Sequence, residues 1–111
     1  MSGMRSNLFA SDRRLQACLV DHAAHVTPGC EGFFVALVQY ALVLLDGARI
    51  DGREMQAMTY GPTTARAVLT YKTRRNIVNH SYQQSADDIV GKMTIAALDR
   101  EMATYERMAR R

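Results

Sequence analysis

The sequence lacks any hydrophobic run that could cross a membrane. Its longest apolar stretch, residues 33–45, has 13 residues and is interrupted by Gln39, whereas a spanning helix needs about 20 apolar residues. The N-terminal residues also lack the apolar core of a secretory signal peptide. We therefore expect no contact with a membrane. The expected location is either the cytoplasm or the cell wall, reached by a route that needs no signal peptide.

Cysteine is scarce. Cys18 and Cys30 are the only two in 111 residues, and a chain of this length buries enough surface to fold without a disulfide. With His22 and His25 they form Cys-x3-His-x2-His-x4-Cys, and zinc accepts both ligand types. However, the spacing matches no zinc motif that we can justify, and Cys18 also lies in an apolar stripe. The sequence favours two buried thiols, leaves their pairing open, and predicts no metal and no cofactor.

Catalytic motifs are missing as well. The sequence contains no Ser-His-Asp order, no nucleophile elbow and no His-Glu-x-x-His. The adjacent carboxylates of Asp87 and Asp88 would point in different directions, so they suit the capping of the last helix better than acid–base catalysis. We expect a protein that is not an enzyme.

What the sequence does contain is enough apolar residues at helical spacing for one domain. Hydrophobic residues make up 48% and charged residues 23% of the chain, which is typical of soluble globular domains. Apolar residues recur every three or four positions, and no stretch alternates as a strand would, so the predicted fold class is all-α. Helices are predicted over about 12–24, over 31–45, from 62 to a polar loop at 77–85, and from 91 to about 108, with a short turn at 56–58 inside a loop at 48–59.

The chain divides after a Thr-Pro-Gly break. Residues 1–28 are expected to form an extension whose single helix is capped by Ser11 and packs on the core. Its first ten residues should be loose, with Leu8 and Phe9 as the residues that could anchor them to the core. Residues 29–111 would form the main domain. Its first helix is apolar around most of its girth and should be the buried centre, with the amide of Gln39 bonded to the backbone of a neighbouring loop. The inner stripe of its last helix should include Tyr105.

A short repeat organises the second half of the chain. The pattern Gly-x-x-Thr-x-x-Ala-(Val/Leu) begins at Gly61 and again at Gly91, 30 residues later. Each copy predicts a loop that turns into a helix at a residue without a side chain. On the helix after the first copy, Lys72, Arg74 and Arg75 are expected to face solvent.

These motifs, in this order, resemble the bacterial peptidoglycan-binding domain, a three-helix module attached to many cell-wall hydrolases, amidases and phage endolysins. The resemblance covers about residues 31–100 and implies a non-catalytic three-helix bundle, here with an extra N-terminal helix, that binds peptidoglycan. Lys72, Asp88 and Lys92 depart from the family pattern, which usually has Gln, Gly and Pro there. The matching residues are Gln39, Leu42, Gly61, Thr64, Ala67, Val68, Tyr71, Asp87, Ile89, Val90, Gly91, Thr94, Ala97 and Leu98.

The residues predicted to bind the ligand lie in or beside the two polar loops. Arginine binds carboxylates in two-pronged fashion, and tyrosine packs on sugar rings while it hydrogen bonds. The predicted ligand-binding residues are Arg49, Arg53, Tyr60, Asn79, His80, Tyr82 and Asp87.

The sequence also bears on two other classes of partner, proteins and nucleic acids. A protein–protein adaptor that retains the fold without glycan binding is the alternative, with a wall hydrolase or a secretion-system protein as its partner. A helix-turn-helix is disfavoured because the loop at 77–85 is far too long for its turn and the last helix carries several acidic residues. We therefore expect no binding of nucleic acid, although the net charge is +3.

Overall fold

The computed structural model describes residues 4–78 and 85–109, apart from the side chain of His22. This part of the chain is all-α, as the spacing predicted, and its only β-type pairings are two isolated bridges, Val26–Val90 and Glu31–Thr59. Its helices are α1 (Asn7–Ala10), α2 (Arg13–Cys18), α3 (Phe33–Asp46), α4 (Gly52–Ala57), α5 (Pro62–Arg74) and α6 (Lys92–Ala109), with a 3-10 turn at His22–Ala24.

Helix α3 is the centre of the core and packs against both α5 and α6. Its inner side includes Val35, Val38 and Leu42, which are fully buried. The helix ends at Asp46 and is capped by Gly47, which has a left-handed φ of 61° and whose N–H bonds back to the last turn. The observed bounds lie within two residues of the predicted helix at each end.

One side of α3 departs from the prediction. Phe33 is 64% exposed and Tyr40 is 49% exposed, and residues seven apart lie on the same side of a helix. Helix α3 is therefore not buried on most of its faces, contrary to the expectation from its apolar sequence. It leaves an aromatic edge at the surface of the domain.

The N-terminal region differs from the single helix predicted over 12–24. Ser11 lies at the C-terminal end of α1, and Asp12 caps α2 instead by accepting a hydrogen bond from the N–H of Leu15 at 2.9 Å. Because Ser6 caps α1 in the same way, two side-chain caps six residues apart start two short helices where spacing alone predicted one.

Residues 4–10, predicted to be loose, are fixed to α6 by two carboxylates. Asp99 is buried and accepts hydrogen bonds from the backbone N–H groups of Arg5 and Ser6 at 2.8 to 3.0 Å. Two turns further along α6, Glu106 accepts hydrogen bonds from the hydroxyl of Ser6 and from two N–H groups at the start of α1. The prediction failed because these carboxylates satisfy backbone groups that the sequence alone leaves unpaired.

Both copies of the glycine repeat start a helix, as predicted. Helix α5 follows Gly61 and α6 follows Gly91, and each glycine carbonyl accepts a hydrogen bond from the N–H four residues on, at 2.9 and 3.0 Å. A Cβ on Gly61 would lie 2.6 Å from the carboxyl carbon of Glu54, and one on Gly91 would lie 3.3 Å from the ring of His25. Each glycine thus leaves room for a side chain from elsewhere in the fold.

Smaller predictions about bounds and faces need correction. Helix α4 begins earlier than the turn expected at 56–58, because Asp51 caps its first turn. Lys72, expected to face solvent, is buried, and Tyr105, expected inside, is exposed. None of the helices within residues 4–78 and 85–109 is long and apolar enough to cross a membrane.

Candidate functional site

The structure disperses the residues that the sequence predicted to bind a ligand. Arg49 and Arg53 are exposed, the first on the connection between α3 and α4 and the second on α4 itself. Of these two, only Arg49 lines a groove between α5 and the connection after α3. Asn79, His80 and Tyr82 lie outside the residues that the structure describes.

Tyr60 belongs to the core rather than to a binding surface. It is 2% exposed, and its hydroxyl donates a hydrogen bond to the carbonyl oxygen of Asp88. Burial raises the pKa of Tyr60, and the nearby charges of Asp88 and Asp87 raise it further. Its ring therefore cannot pack on a sugar in this structure, which corrects the expectation for this residue.

Asp87 holds a loop in place. Its carboxylate accepts a hydrogen bond from the ammonium group of Lys72 and another from the N–H of Ile89 at 3.1 Å. Lys72 also donates to the carbonyl oxygen of Ile89 at 2.8 Å. The pair fastens the segment before α6 to α5, a role in the scaffold, and it explains why Lys72 is buried.

A groove lined by several arginine side chains lies between the outer face of α5 and the connection that follows α3. Its volume is about 360 Å³. We call it the arginine groove and define it by three guanidinium groups, two hydroxyls and one carboxylate. These belong to Arg49, Arg66, Arg74, Thr63, Thr70 and Asp46, and Gly47, Ala48 and Ala67 complete the lining.

The α5 side of the arginine groove follows from helical spacing. Thr63, Arg66, Thr70 and Arg74 are separated by three or four residues, so they lie along one face of the helix. The opposite face is turned to the core and buried. This polar row is the sequence signal that could have identified Arg66, Thr70 and Arg74. The other wall of the groove is formed by residues 46–49. The sequence does not show that these residues lie beside α5, since this follows only from the fold.

Asp46 stands at the inner edge of the arginine groove. Its side chain is 7% exposed, and its Oδ1 accepts a hydrogen bond from Nη2 of Arg75 at 3.0 Å. No group in the described parts of the chain donates a hydrogen bond to its Oδ2. Nη1 of Arg74 lies 3.7 Å from Oδ2, within ion-pair range but beyond a hydrogen bond.

A rigid cluster behind the arginine groove fixes Arg75. Its guanidinium binds both carboxylate oxygens of Glu101, at 2.6 and 2.8 Å, and stacks 3.7 Å above the ring of Tyr71. The hydroxyl of Tyr71 donates to Glu101 at 2.9 Å. Although burial raises the pKa of Glu101, the hydrogen bonds from Arg75 and Tyr71 outweigh it and lower that pKa. The cluster thus ties the ends of α3 and α5 to the middle of α6.

A second buried network lies at the start of α5. The carboxylate of Glu54 accepts four hydrogen bonds, from the backbone N–H and the hydroxyl of both Thr63 and Thr64, at 2.6 to 2.9 Å. Burial by itself raises the pKa of Glu54, but these hydrogen bonds outweigh it and lower the pKa to about 2. Glu54 therefore stays ionised and caps α5 from a neighbouring helix.

Gln39 connects this network to the centre of the core, as predicted. Its amide donates to the carbonyl oxygen of Thr59 and to the hydroxyl of Thr64, both at 3.0 Å. The predicted bond to the backbone of a neighbouring loop is therefore confirmed. Gln39, Thr64 and Glu54 build the scaffold and offer no exposed surface to a ligand.

The structure shows no metal centre among the cysteine and histidine side chains that it describes. Across the described residues, which exclude the side chain of His22, no group of three His, Cys, Asp or Glu could hold a metal ion. Cys18 is buried and donates to the carbonyl oxygen of Val90 at 3.3 Å, and its burial raises the pKa of the thiol to about 11. Cys18 is therefore a neutral thiol packed in the core.

Comparison with known proteins adds no relative. No protein-family model matches the chain, and neither the curated proteins nor the solved structures contain one with significant similarity. The resemblance to the peptidoglycan-binding domain therefore stays a prediction that rests on the motifs themselves.

Proposed function

We propose that the chain is a non-catalytic module that binds bacterial peptidoglycan, and that the arginine groove contacts the carboxylates of its peptides. The observation that carries this proposal is the convergence of Arg49, Arg66 and Arg74 on one groove. A groove of this kind suits an anionic group on a larger polymer, because guanidinium groups bind carboxylates through paired, charge-assisted hydrogen bonds.

The charge state of the groove supports an anionic ligand. In the described structure, neither Arg49 nor Arg66 forms an ion pair with a carboxylate of this chain. The hydroxyl of Thr70 stands beside them and can hydrogen bond to sugar hydroxyls or peptide amides, whereas the hydroxyl of Thr63 is already bonded to Glu54 and Asp51. The groove thus offers both charge and neutral polar groups to a glycopeptide.

The repeat has a different part in this proposal. Gly61 and Thr64 are occupied by internal contacts with Glu54 and Gln39. They hold the start of α5, which sets the position of Arg66 on the next turn. The motifs that resemble the wall-binding family thus form the scaffold, and the module would hold a wall-active protein near its substrate.

One observation favours the alternative, a protein–protein adaptor. Phe33 and Tyr40 are exposed on the same side of α3, and aromatic residues are enriched at protein interfaces. Under this alternative the partner would cover the aromatic edge, and the arginine groove would not need to bind the wall.

The test is co-sedimentation with insoluble peptidoglycan sacculi at low salt. We expect the wild type to sediment and the double variant Arg49→Gln, Arg66→Gln to lose at least about tenfold in affinity, since each lost charge-assisted contact is worth about 1.5 kcal/mol or more. The double variant Arg13→Gln, Arg53→Gln is the matched control, because it removes two exposed arginines outside the groove.

Two outcomes would count against the proposal. Wild-type protein that stays in the supernatant at low salt contradicts wall binding. Equal loss in the Arg13→Gln, Arg53→Gln control and in the groove double variant, which remove the same charge, would mean that binding follows net charge and not the groove. Thermal unfolding of each variant shows that the fold is intact.

A further inference from the structure

Two adjoining grooves along α6 take no part in the proposed function. One, of about 460 Å³, lies between α6 and the last turn of α3, and the other, of about 340 Å³, lies between α6 and the N-terminal segment. Arg100 and Thr104 line both grooves, so the two form one continuous surface. We call it the α6 surface and define it by three apolar and three basic side chains. These belong to Leu45, Tyr105, Met108, Arg5, Arg100 and Arg107.

The first of these grooves offers apolar contacts. Tyr105 is 40% exposed and Met108 is 67% exposed, and their spacing of three places them side by side on α6. Leu45 of α3 is half-buried and completes the apolar lining. Tyrosine, methionine and arginine are enriched at protein interfaces, and methionine adapts its shape to different partners. The groove therefore suits apolar side chains of another polypeptide.

The exposed charges of the α6 surface are all positive. Arg5, Arg100 and Arg107 are exposed, and none of them forms an ion pair with a carboxylate in the described parts of the chain. Their guanidinium groups flank the apolar groove and the groove beside it. Guanidinium groups bind carboxylates through paired, charge-assisted hydrogen bonds.

The two carboxylates that line the α6 surface are half-buried and bonded within the molecule. Glu101 accepts hydrogen bonds from Arg75 and Tyr71. Glu106 accepts hydrogen bonds from the hydroxyl of Ser6 and from two N–H groups at the start of α1. An approaching partner thus meets the arginines first, so an acidic partner is attracted and a basic one repelled.

We propose that the α6 surface docks an acidic segment of a partner protein. Apolar side chains of that segment would fill the groove beside Tyr105, and its carboxylates would bind Arg5, Arg100 and Arg107. This inference goes beyond the proposed wall binding and does not depend on it. The α6 surface shares no lining residue with the arginine groove, so the wall and the partner could be bound together. A module that holds a wall-active protein near its substrate needs such a second site.

The chemistry of the α6 surface favours a polypeptide over other anions. A nucleic acid carries phosphates but no apolar side chains to fill the groove beside Tyr105. A helix that lies on a lipid surface has a broad, exposed apolar face, whereas the apolar stripe of α6 is turned to the core. A segment that alternates acidic and apolar residues matches both parts of the surface.

The test is a fluorescence anisotropy titration of the wild-type protein against three labelled synthetic peptides. The probe has leucines every three or four residues among glutamates. One control peptide has lysine in place of each glutamate, and the other has serine in place of each leucine. We expect the probe to bind at least about tenfold more tightly than either control, because each lost charge-assisted contact costs about 1.5 kcal/mol or more and lost apolar burial costs a similar amount. Equal affinity for the probe and either control would overturn the inference, as would failure of the probe to bind at low salt.

Variants locate the binding on α6. The double variant Arg100→Gln, Arg107→Gln should lose at least about tenfold in affinity for the probe, whereas Arg13→Gln, Arg53→Gln removes the same charge elsewhere and should lose little. Equal loss in the two would mean that the probe follows net charge. Thermal unfolding shows that each variant is folded.

Two exposed tyrosines test the apolar part of the site. Tyr105→Ala should weaken binding of the probe about tenfold, and Tyr40→Ala, at the aromatic edge of α3, is the matched control and should leave the affinity unchanged. The reverse result would place the probe on the aromatic edge and overturn the inference.

Sacculi and lipid vesicles separate this inference from the other readings. Arg100→Gln, Arg107→Gln should sediment with sacculi as the wild type does, and Arg49→Gln, Arg66→Gln should keep its affinity for the probe. A wild type that binds the probe and ignores sacculi would support the docking site and overturn wall binding. Vesicles of phosphatidylcholine and phosphatidylglycerol in equal amounts should not compete with the probe. Competition that is lost in Arg100→Gln, Arg107→Gln would assign the α6 surface to a membrane and overturn the inference.

Discussion

Glu54 is the residue that the start of α5 depends on most. Its carboxylate takes hydrogen bonds from two backbone N–H groups and two hydroxyls, and Gly61 leaves it the space to do so. The capping carboxylate comes from α4 and not from the residue that precedes α5. The sequence identifies Gly61 as the start of a helix. It does not show why a glycine is needed there, because the close approach of Glu54 arises only in the fold.

Glu54→Gln should lower the free energy of unfolding near pH 7 by about 2 kcal/mol, because an amide puts a donor where N–H groups and hydroxyls need an acceptor. Chemical denaturation measures this difference. The matched control is Glu31→Gln, at an exposed glutamate, which should change stability by less than about 0.5 kcal/mol.

The difference in stability between wild type and Glu54→Gln should depend on pH. The pKa of Glu54 in the folded protein is lowered to about 2, so its contribution to stability is complete above its unfolded pKa of about 4.3. That contribution is lost as pH falls through the folded pKa. The gap between wild type and Glu54→Gln should therefore narrow between about pH 4.5 and pH 2. A gap that stays constant over this window would contradict the depressed pKa.

At the scale of elements, the N-terminal segment shows how tertiary contacts override local signals. Asp99 and Glu106 look from the sequence like the solvated face of α6, since they lie seven residues apart and are charged. In the fold they accept hydrogen bonds from the segment at residues 5–8. No local pattern could pair these residues, because about 90 positions separate them along the chain.

Asp99→Ala should release this segment without unfolding the domain. Two backbone N–H groups, of Arg5 and Ser6, lose their acceptor, so their amide hydrogens should exchange much faster, by about tenfold or more. Amides in the middle of α3 should keep their protection. Asp21→Ala, at an exposed aspartate, is the control. Unchanged exchange at Arg5 and Ser6 in Asp99→Ala would show that Asp99 does not anchor the segment.

At the scale of the whole molecule, the spacing of apolar residues and glycines predicted the helices better than residue chemistry predicted the binding site. The all-α class, α3, the starts of α5 and α6 and the role of Gln39 followed from periodicity and from the repeat. Among the predicted ligand residues that the structure describes, Arg49 alone lies in the arginine groove. The groove itself could not be predicted, because it forms only where the connection after α3 meets the polar row of α5.

Two surfaces of the folded molecule separate the proposed function from its alternative. The arginine groove is charged and lies beside α5, and the aromatic edge of Phe33 and Tyr40 lies on α3. A ligand that binds one of them will perturb nuclei there and leave the other unchanged. The proposed function and its alternative therefore predict different sites on the same protein.

The most direct measurement is an NMR titration of the isotope-labelled protein with a soluble peptidoglycan fragment that carries one glycan unit and its peptide stem. We expect shifts of backbone amides that line the arginine groove, at Gly47, Arg49 and Thr70, with little change at Phe33 and Tyr40. Shifts confined to the aromatic edge of α3, or no shifts at any fragment concentration, would contradict the claim that the groove binds the wall.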